Sequence, residues 1–304
     1  MLALIAVMAF AVPAVAQDTS AVNLPVKWSI GDTHRIEMTR ETVRVHGGSQ
    51  HSAGQAVTPV TIRVLRRLDD GYVIRWTYGR TRFTGAKPSA LGDKLANLTE
   101  NLRLALRTDR HGAVIGLENR EQIRDHYKTA GDAVIDWMLQ HDQPDSVVNG
   151  VDAMLQKLRT AESVEATATR ESTLFFRAFG GTYRKGAPRA FDDLLPNPWG
   201  HVPIPARARL FLQNHDKQAG IAVIGWKQVI DRDRAGPVLT ETLRALGMPI
   251  PKDGNVFTGF GINEDGLWIF DTKTGWMLSG SWQRATTFNG NLTSVERIKF
   301  RTVD

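Results

Sequence analysis

The sequence of 304 residues contains no cysteine. Disulfide bonds, thiolate nucleophiles and cysteine metal sites are therefore excluded within it. No serine lies in a Gly-x-Ser-x-Gly motif, the nucleophile motif of many hydrolases. The stretch Gly259–Gly266 has the wrong glycine spacing for a dinucleotide site. These absences favour a non-catalytic protein without a cofactor or a metal, and a hydrolase is the weakest alternative.

Apolar runs long enough to cross a membrane are also missing. Leu2–Ala11 is apolar, but it is shorter than the ~20 residues that a transmembrane helix needs. Ala14-Val15-Ala16 before Gln17 is the small-x-small pattern that signal peptidases accept. We therefore expect a signal peptide at 1–16, no transmembrane span and an exported protein, periplasmic or secreted. No basic residue precedes the apolar run, so an uncleaved anchor and a true start upstream of Met1 stay open as alternatives.

The charge is mildly basic, with 38 Lys and Arg against 32 Asp and Glu, a formal net charge of +6. The basic residues are scattered along the chain. For an exported protein this balance favours an anionic envelope surface, such as lipid head groups, over nucleic acid as a partner. The alternative is an ordinary solvated surface.

Strands are predicted for the N-terminal part, 17–118, of a single domain that spans 17–304. Apolar residues alternate with polar ones on both sides of the turn Asp69–Gly71, which predicts a hairpin. The turn Asp109–Gly112 predicts a second hairpin. We expect a polar loop at His46–Gln55 and a short helix at Ser89–Leu98.

Helices are predicted for 119–178. From Asn119 onward, apolar residues recur at spacings of three and four, and Ser146 is placed to cap a second helix after Pro144. Each helix has one apolar face, so each should pack on the sheet. The segment Glu162–Phe179 suits either a helix or a strand.

The segment 179–205 holds five prolines and is predicted to be a loop: a binding loop, a lid or a segment that is simply mobile. Within it, Trp199 and His201 stand between prolines and are candidate ligand-binding residues. If the protein were an enzyme, these two residues with Asp192 or Asp193 would be the place to look. The last part, 206–304, is predicted to be strands with a short helix at Pro237–Leu246, and "DRDRAG" at 231–236 is interpreted as a turn.

Aromatic residues are concentrated in Gly266–Trp282. Turns predicted at Asn263–Gly266 and Asp271–Gly275 divide this region into three strands. Across the second turn we expect Phe270 to face Trp276 and Trp268 to face Leu278. Alternation then places four aromatic residues on one face, mostly buried: Trp268, Phe270, Trp276 and Trp282. They form a packed core, the lining of a site for an apolar ligand or a platform for sugar stacking, so they are candidate ligand-binding residues.

The predicted fold is α+β: a strongly curved antiparallel sheet, partly open and barrel-like, with the mid-chain helices packed on it. Such a sheet can hold an acyl chain. The sequence therefore predicts a binding or carrier module for an apolar or lipid-like ligand. The alternative is an envelope interaction or assembly protein whose core is fully packed.

The mature protein is expected to begin at Gln17, because cleavage after Ala16 fits the small-x-small pattern. The intact mass of the protein purified from its native host checks this. Retention of residues 1–16 in that mass would contradict the predicted localisation.

Overall fold

The structure is a computed structural model that describes residues 21–46, 49–85, 88–158, 161–195, 197, 202–245, 247, 250, 260–288 and 291–303. The predicted signal peptide lies outside the described residues, and so do Trp199 and His201.

The first part of the chain forms strands and one short helix. They are β1 (Ala21–Asn23), β2 (Thr33–His46), β3 (Ser49–Leu68), β4 (Gly71–Tyr78), β5 (Arg82–Thr84), α1 (Ala90–Ala96), β6 (Arg103–Asp109) and β7 (Val114–Leu117). Both predicted hairpins are confirmed, since β3 pairs with β4 and β6 pairs with β7. The predicted short helix is confirmed as α1, where the Ser89 hydroxyl accepts a hydrogen bond from the Gly92 amide at 3.0 Å.

Three helices follow: α2 (Arg120–Gln140), α3 (Asp145–Leu158) and α4 (Ala161–Phe176). The apolar face predicted for α2 is buried at Ile123, Tyr127, Val134 and Met138. The prediction that the next helix packs on the sheet is wrong for α3, because its Val148 and Leu155 pack with Val134 and Met138 of α2. Ser146 is not its cap, since α3 begins at Asp145. The segment Glu162–Phe179, which suited either a helix or a strand, is mostly helical, because α4 extends to Phe176. Among the described helices, none is both long enough and apolar enough to cross a membrane.

The last part of the chain returns to strands. Its elements are β8 (Thr182–Arg184), β9 (Arg189–Leu195), β10 (Ile204–Asp216), β11 (Ile221–Ile230), α5 (Arg232–Ala245), β12 (Phe260–Asp271), β13 (Met277–Phe288) and β14 (Asn291–Thr302).

One large antiparallel sheet contains twelve of the strands, in the order β7-β6-β4-β3-β2-β14-β13-β12-β11-β10-β9, with β5 paired to β3. β1 and β8 form a separate pair. The pairing of β14 with β2 joins the two ends of the chain into one sheet. Because β7 and β9 do not pair with each other, the sheet is open and is not closed into a barrel. The predicted α+β class with an antiparallel sheet is confirmed.

Helix α4 lies on one face of this sheet, which we call the inner face; the opposite face is the outer face. β4 and β12 are five strand steps apart, about 24 Å at ~4.8 Å per strand. A helix is only about 10–12 Å wide. The C-terminal half of α4 nevertheless contacts both strands: Tyr78 Oη donates to Glu171 Oε2 at 3.2 Å, and Trp268 Nε1 donates to the Leu174 carbonyl at 3.1 Å. The sheet therefore bends around α4.

The predicted turn at Asn263–Gly266 is wrong. These residues lie inside β12, which pairs without interruption with β11 on one side and from Phe260 to Ile269 with β13 on the other. Glu264 is buried there and accepts hydrogen bonds from neighbouring side chains, so its polarity marks an interior site and not a turn. The predicted turn at Asp271–Gly275 is confirmed, with the Gly275 amide donating to the Asp271 carbonyl at 2.8 Å.

The loop predicted for 179–205 is wrong in part, because β8 and β9 lie inside it. β9 contains no proline: Pro188 precedes it and Pro196 follows it, so the prolines bound a strand that pairs with β10. The predicted loop at His46–Gln55 is also corrected, since β3 already begins at Ser49. "DRDRAG" is the first turn of α5 and not an isolated turn, since the Asp231 side chain accepts a hydrogen bond from the Asp233 amide at 3.1 Å.

Replacing Phe270 by Ala should lower the free energy of unfolding by about 3–5 kcal/mol, because its ring is fully buried in the core. Leu278→Ala is the matched control on the adjacent strand, since Leu278 is 40% exposed, and it should cost less than about 1 kcal/mol. Urea unfolding measures both. Equal losses in the two variants would contradict the assignment of the core.

Candidate functional site

The four aromatic candidates in the C-terminal strands belong to the main core. Relative exposure is 0% for Trp268 and Phe270, 7% for Trp276 and 2% for Trp282. The Phe270 ring centroid lies 5.0 Å from that of Phe179, and Trp276 stacks on Trp28 at 5.2 Å. They are buried together, as expected. Their part in ligand binding stays a prediction.

The register between these strands differs from the predicted one. Phe270 pairs with Met277, and Trp268 pairs with Gly280, because a bulge shifts the ladder next to Phe270. The sequence placed Leu278 opposite Trp268, and Leu278 is instead exposed. Gly280 leaves the space that the Trp268 ring occupies: a Cβ on Gly280 would come within 2.9 Å of Trp268 Cδ1.

A charged network lies beside the aromatic core on the inner face. Buried Glu264 accepts hydrogen bonds from Trp282 Nε1 at 2.9 Å and from Arg284 Nε at 2.8 Å. Arg170 of α4 pairs with Glu296 at 2.5 Å. The guanidinium carbons of Arg170 and Arg284 lie 5.4 and 5.2 Å from the Trp282 ring centroid. Each cation is thus matched to a carboxylate, and the network ties α4 to three strands.

A small polar cavity of about 150 Å³ lies next to this network, between α4, α2 and β3. Tyr78, Tyr127, Glu171 and Arg40 border it, and Arg40 forms an ion pair with Glu171. Burial raises the pKa of Tyr127 to about 12 and raises the pKa of Tyr78 well above its ordinary value, so both phenols are protonated at neutral pH. The cavity has room for a few water molecules, at ~30 Å³ each.

The larger depression is a groove of about 500 Å³ on the outer face of β10 to β14. Its centre is a row of directly paired residues across five strands: Phe211, Gly225, Leu267, Ser281 and Lys299. The Phe211 ring lies across Gly225, where a Cβ would come within 2.4 Å of Phe211 Cζ. The Phe211 ring thus covers Gly225, and Ser281 is the small residue of the row that lines the floor, between Leu267 and Lys299.

Ion pairs balance most of the charge around the groove. Arg297 pairs with Glu41 at 3.2 Å, and Lys227 lies 4.0 Å from Asp265. Lys299 has no ion-pair partner among the described residues. The groove therefore carries one unbalanced positive charge at the end opposite Phe211.

The remaining predicted positions are found in ion pairs. Asp192 binds Arg234 at 2.9 Å, and Asp193 binds Arg177 at 3.2 Å. No group of three His, Asp or Glu side chains that could hold a metal ion occurs in the described part of the chain.

Sequence reasoning missed the groove residues. Their positions alternate with the buried aromatic residues, so the outer face itself could have been deduced from the period of two. The row across five strands could not, because it depends on the pairing register.

No protein-family model matches the sequence. No curated protein matches it either. Among solved structures, the chain is similar to one described as "lipid-protein interactions in lipovitellin", with 8% identity and a TM-score of 0.45 over 91% of this chain and 26% of that one. The match thus spans about a quarter of that chain.

Replacing Arg170 by Met should make the free energy of unfolding change less with pH in the acid range. Burial alone raises the pKa of the Glu296 carboxyl, but the hydrogen bond and charge of Arg170, together with the charges of Arg40 and Arg284, outweigh burial, and the net pKa is lowered. A lowered carboxylate pKa stabilises the fold above the unfolded value of about 4.3, and this stabilisation is lost as the pH falls through the folded pKa. The variant should therefore be less stable than wild type at neutral pH, and the difference should shrink below about pH 4.

Thermal melts at a series of pH values measure this difference. Glu296→Gln in the Arg170→Met background is the control, because it removes the titrating group. A stability difference between Arg170→Met and wild type that does not change with pH would show that Glu296 is not held by Arg170.

Proposed function

We propose that this protein is an exported, non-catalytic binding module for a lipid-like molecule, and that the ligand lies in the groove on the outer face of β10 to β14. The observation that carries the proposal is the row from Phe211 to Lys299. It offers apolar contact with Phe211 at one end, Leu267 and the small residue Ser281 in the middle, and an unbalanced cation at the other end.

The size of the groove supports this choice. A volume of about 500 Å³ lies within the range of about 300–1,000 Å³ that is usual for small-molecule sites. Phe211 and Lys299 are four strand steps apart, about 19 Å at ~4.8 Å per strand. That span matches an extended long acyl chain, with its acidic head group at Lys299.

The inner face offers less room for such a ligand. In the described structure it is covered by α4, whose Phe175 and Phe176 are each 1% exposed. The buried residues Trp268, Phe270 and Trp276 belong to the core on the inner side and do not line the groove. Trp282 borders the groove, since its strand position lies between Ser281 and Gln283.

The packed inner face is also the observation that favours the second candidate, an envelope interaction or assembly protein. In that case the groove would contact a protein partner and would not hold an amphiphile. Binding of a fatty acid by the wild-type protein separates the two candidates.

Replacing Ser281 by Phe should lower the affinity for a dansyl-labelled long-chain fatty acid about tenfold or more, because the new ring fills the floor of the groove. Ser279→Phe is the matched control: it lies on the same strand and face, two residues away, and does not line the groove. Fluorescence titration measures the affinity, and circular dichroism confirms that both variants are folded. Unchanged binding in Ser281→Phe, or no binding by wild type, would contradict the proposal.

The head-group contact is tested separately. Lys299→Gln should weaken binding of the labelled fatty acid but leave binding of the corresponding labelled alcohol unchanged, because only the acid carries a charge. Lys217→Gln removes the same charge from an exposed turn and should alter neither. An equal loss for acid and alcohol would place the head group away from Lys299.

A further inference from the structure

The other half of the outer face carries a cluster of four arginines, on β2, β3, β4 and β6. Two adjacent rows of paired residues form it. The first row is Arg35, Thr61, Thr77 and Arg103, and the second is Thr33, Arg63, Arg75 and Ala105. We call these four arginines, Arg35, Arg63, Arg75 and Arg103, the arginine array.

The array faces away from the core. Its members alternate along their strands with residues of the inner face, of which Ile36, Ile62, Trp76 and Leu104 are at most 1% exposed. Arg35, Arg63 and Arg103 are exposed, and Arg75 is partly exposed. In the sequence these residues are far apart, so only strand pairing brings them together.

The array is not neutralised within the described structure. None of the four guanidinium groups has an ion-pair partner there. The two rows contain no carboxylate. Three acidic residues that adjoin them have partners of their own: Glu118 binds Arg66 at 2.7 Å, Glu37 is paired with Arg82 and Arg301, and the Asp32 carboxylate accepts a hydrogen bond from the Ser29 amide at 2.7 Å. The charge of the array is therefore available to an external anion.

The array also carries an electrostatic cost. Arg63 and Arg75 are direct cross-strand partners. Side chains in such pairs have Cβ atoms only about 4.5–5.5 Å apart, and like charges there are destabilising. An anion that contacts both guanidinium groups would relieve this repulsion, and Arg is suited to bind phosphate oxygens with two hydrogen bonds.

We infer that the arginine array docks the protein on an anionic lipid surface, with the four guanidinium groups on head-group phosphates. The array spans four neighbouring strands, about 14 Å at ~4.8 Å per step, so it presents several cations side by side to several phosphates. The residues between the arginines are Thr33, Thr61, Thr77 and Ala105, so no aromatic ring is present on which bases could stack. This chemistry favours a lipid surface over single-stranded nucleic acid.

The test uses the full chain with vesicles of phosphatidylcholine alone and of phosphatidylcholine mixed with phosphatidylglycerol. Wild type should bind only the anionic vesicles, and binding should weaken as salt is added. The double variant Arg63→Gln, Arg75→Gln should bind them roughly 30-fold more weakly, because each arginine near an anionic surface is worth about fivefold. Vesicle sedimentation measures the partition.

Two controls isolate the array. Arg66→Gln with Arg107→Gln makes the same change in net charge, but these arginines are already paired with Glu118 and Asp70, so binding should change much less. Arg63→Lys with Arg75→Lys keeps the charge and should retain most of the binding. Equal losses in the two Gln variants would overturn the inference, because total charge and not the array would then control binding.

Other outcomes are equally decisive. Wild-type binding to a short single-stranded DNA but not to anionic vesicles would overturn the inference in favour of nucleic acid. Full inhibition of vesicle binding by millimolar inorganic phosphate at constant ionic strength would overturn it in favour of a free phosphate site. The proposal is independent of the groove: the array variants should bind the labelled fatty acid normally, and Ser281→Phe should bind vesicles normally.

Discussion

The packing of α4 against the inner face is the interaction on which the rest of the structure depends. Rings from α4 and its end contact both halves of the sheet: Phe175 meets Trp76 of β4 and Phe300 of β14, and Phe179 meets Phe270 of β12. The indole of Trp268 also satisfies a carbonyl in the last turn of α4, which has no partner within the helix. One helix thus holds together strands that are distant in the sheet order.

This packing determines which face is free for function. The inner face is occupied by aromatic rings and by the ion pairs of Glu264, Glu296 and Glu171. The outer face of the same sheet meets no helix over the groove and the arginine array among the described residues. A ligand too large for the small cavity beside Tyr78 therefore finds more open space in the groove on the outer face.

The two outer-face features divide along the sheet. The groove lies on β10 to β14 and combines apolar contact with one unbalanced lysine. The arginine array lies on β2 to β6 and presents charge without an apolar floor. The proposed docking region and the proposed lipid-binding groove would thus lie side by side on one face of the sheet, yet each proposal rests on its own residues.

Local patterns in the sequence determined the strand and helix types, because alternation and three-to-four spacing report which side of an element is buried. They correctly predicted both N-terminal hairpins, the apolar face of α2 and the burial of Trp268, Phe270, Trp276 and Trp282. They were wrong at Glu264, where a buried carboxylate inside β12 was interpreted as part of a turn. They were also wrong at β9, a strand that was assigned to a loop because prolines precede and follow it. Both cases depend on partners from other strands: Trp282 and Arg284 of β13 bind Glu264, and β10 pairs with β9. The groove and the arginine array were decided only by the tertiary structure, because each is a row across strands, and pairing register depends on contacts between residues far apart in the chain.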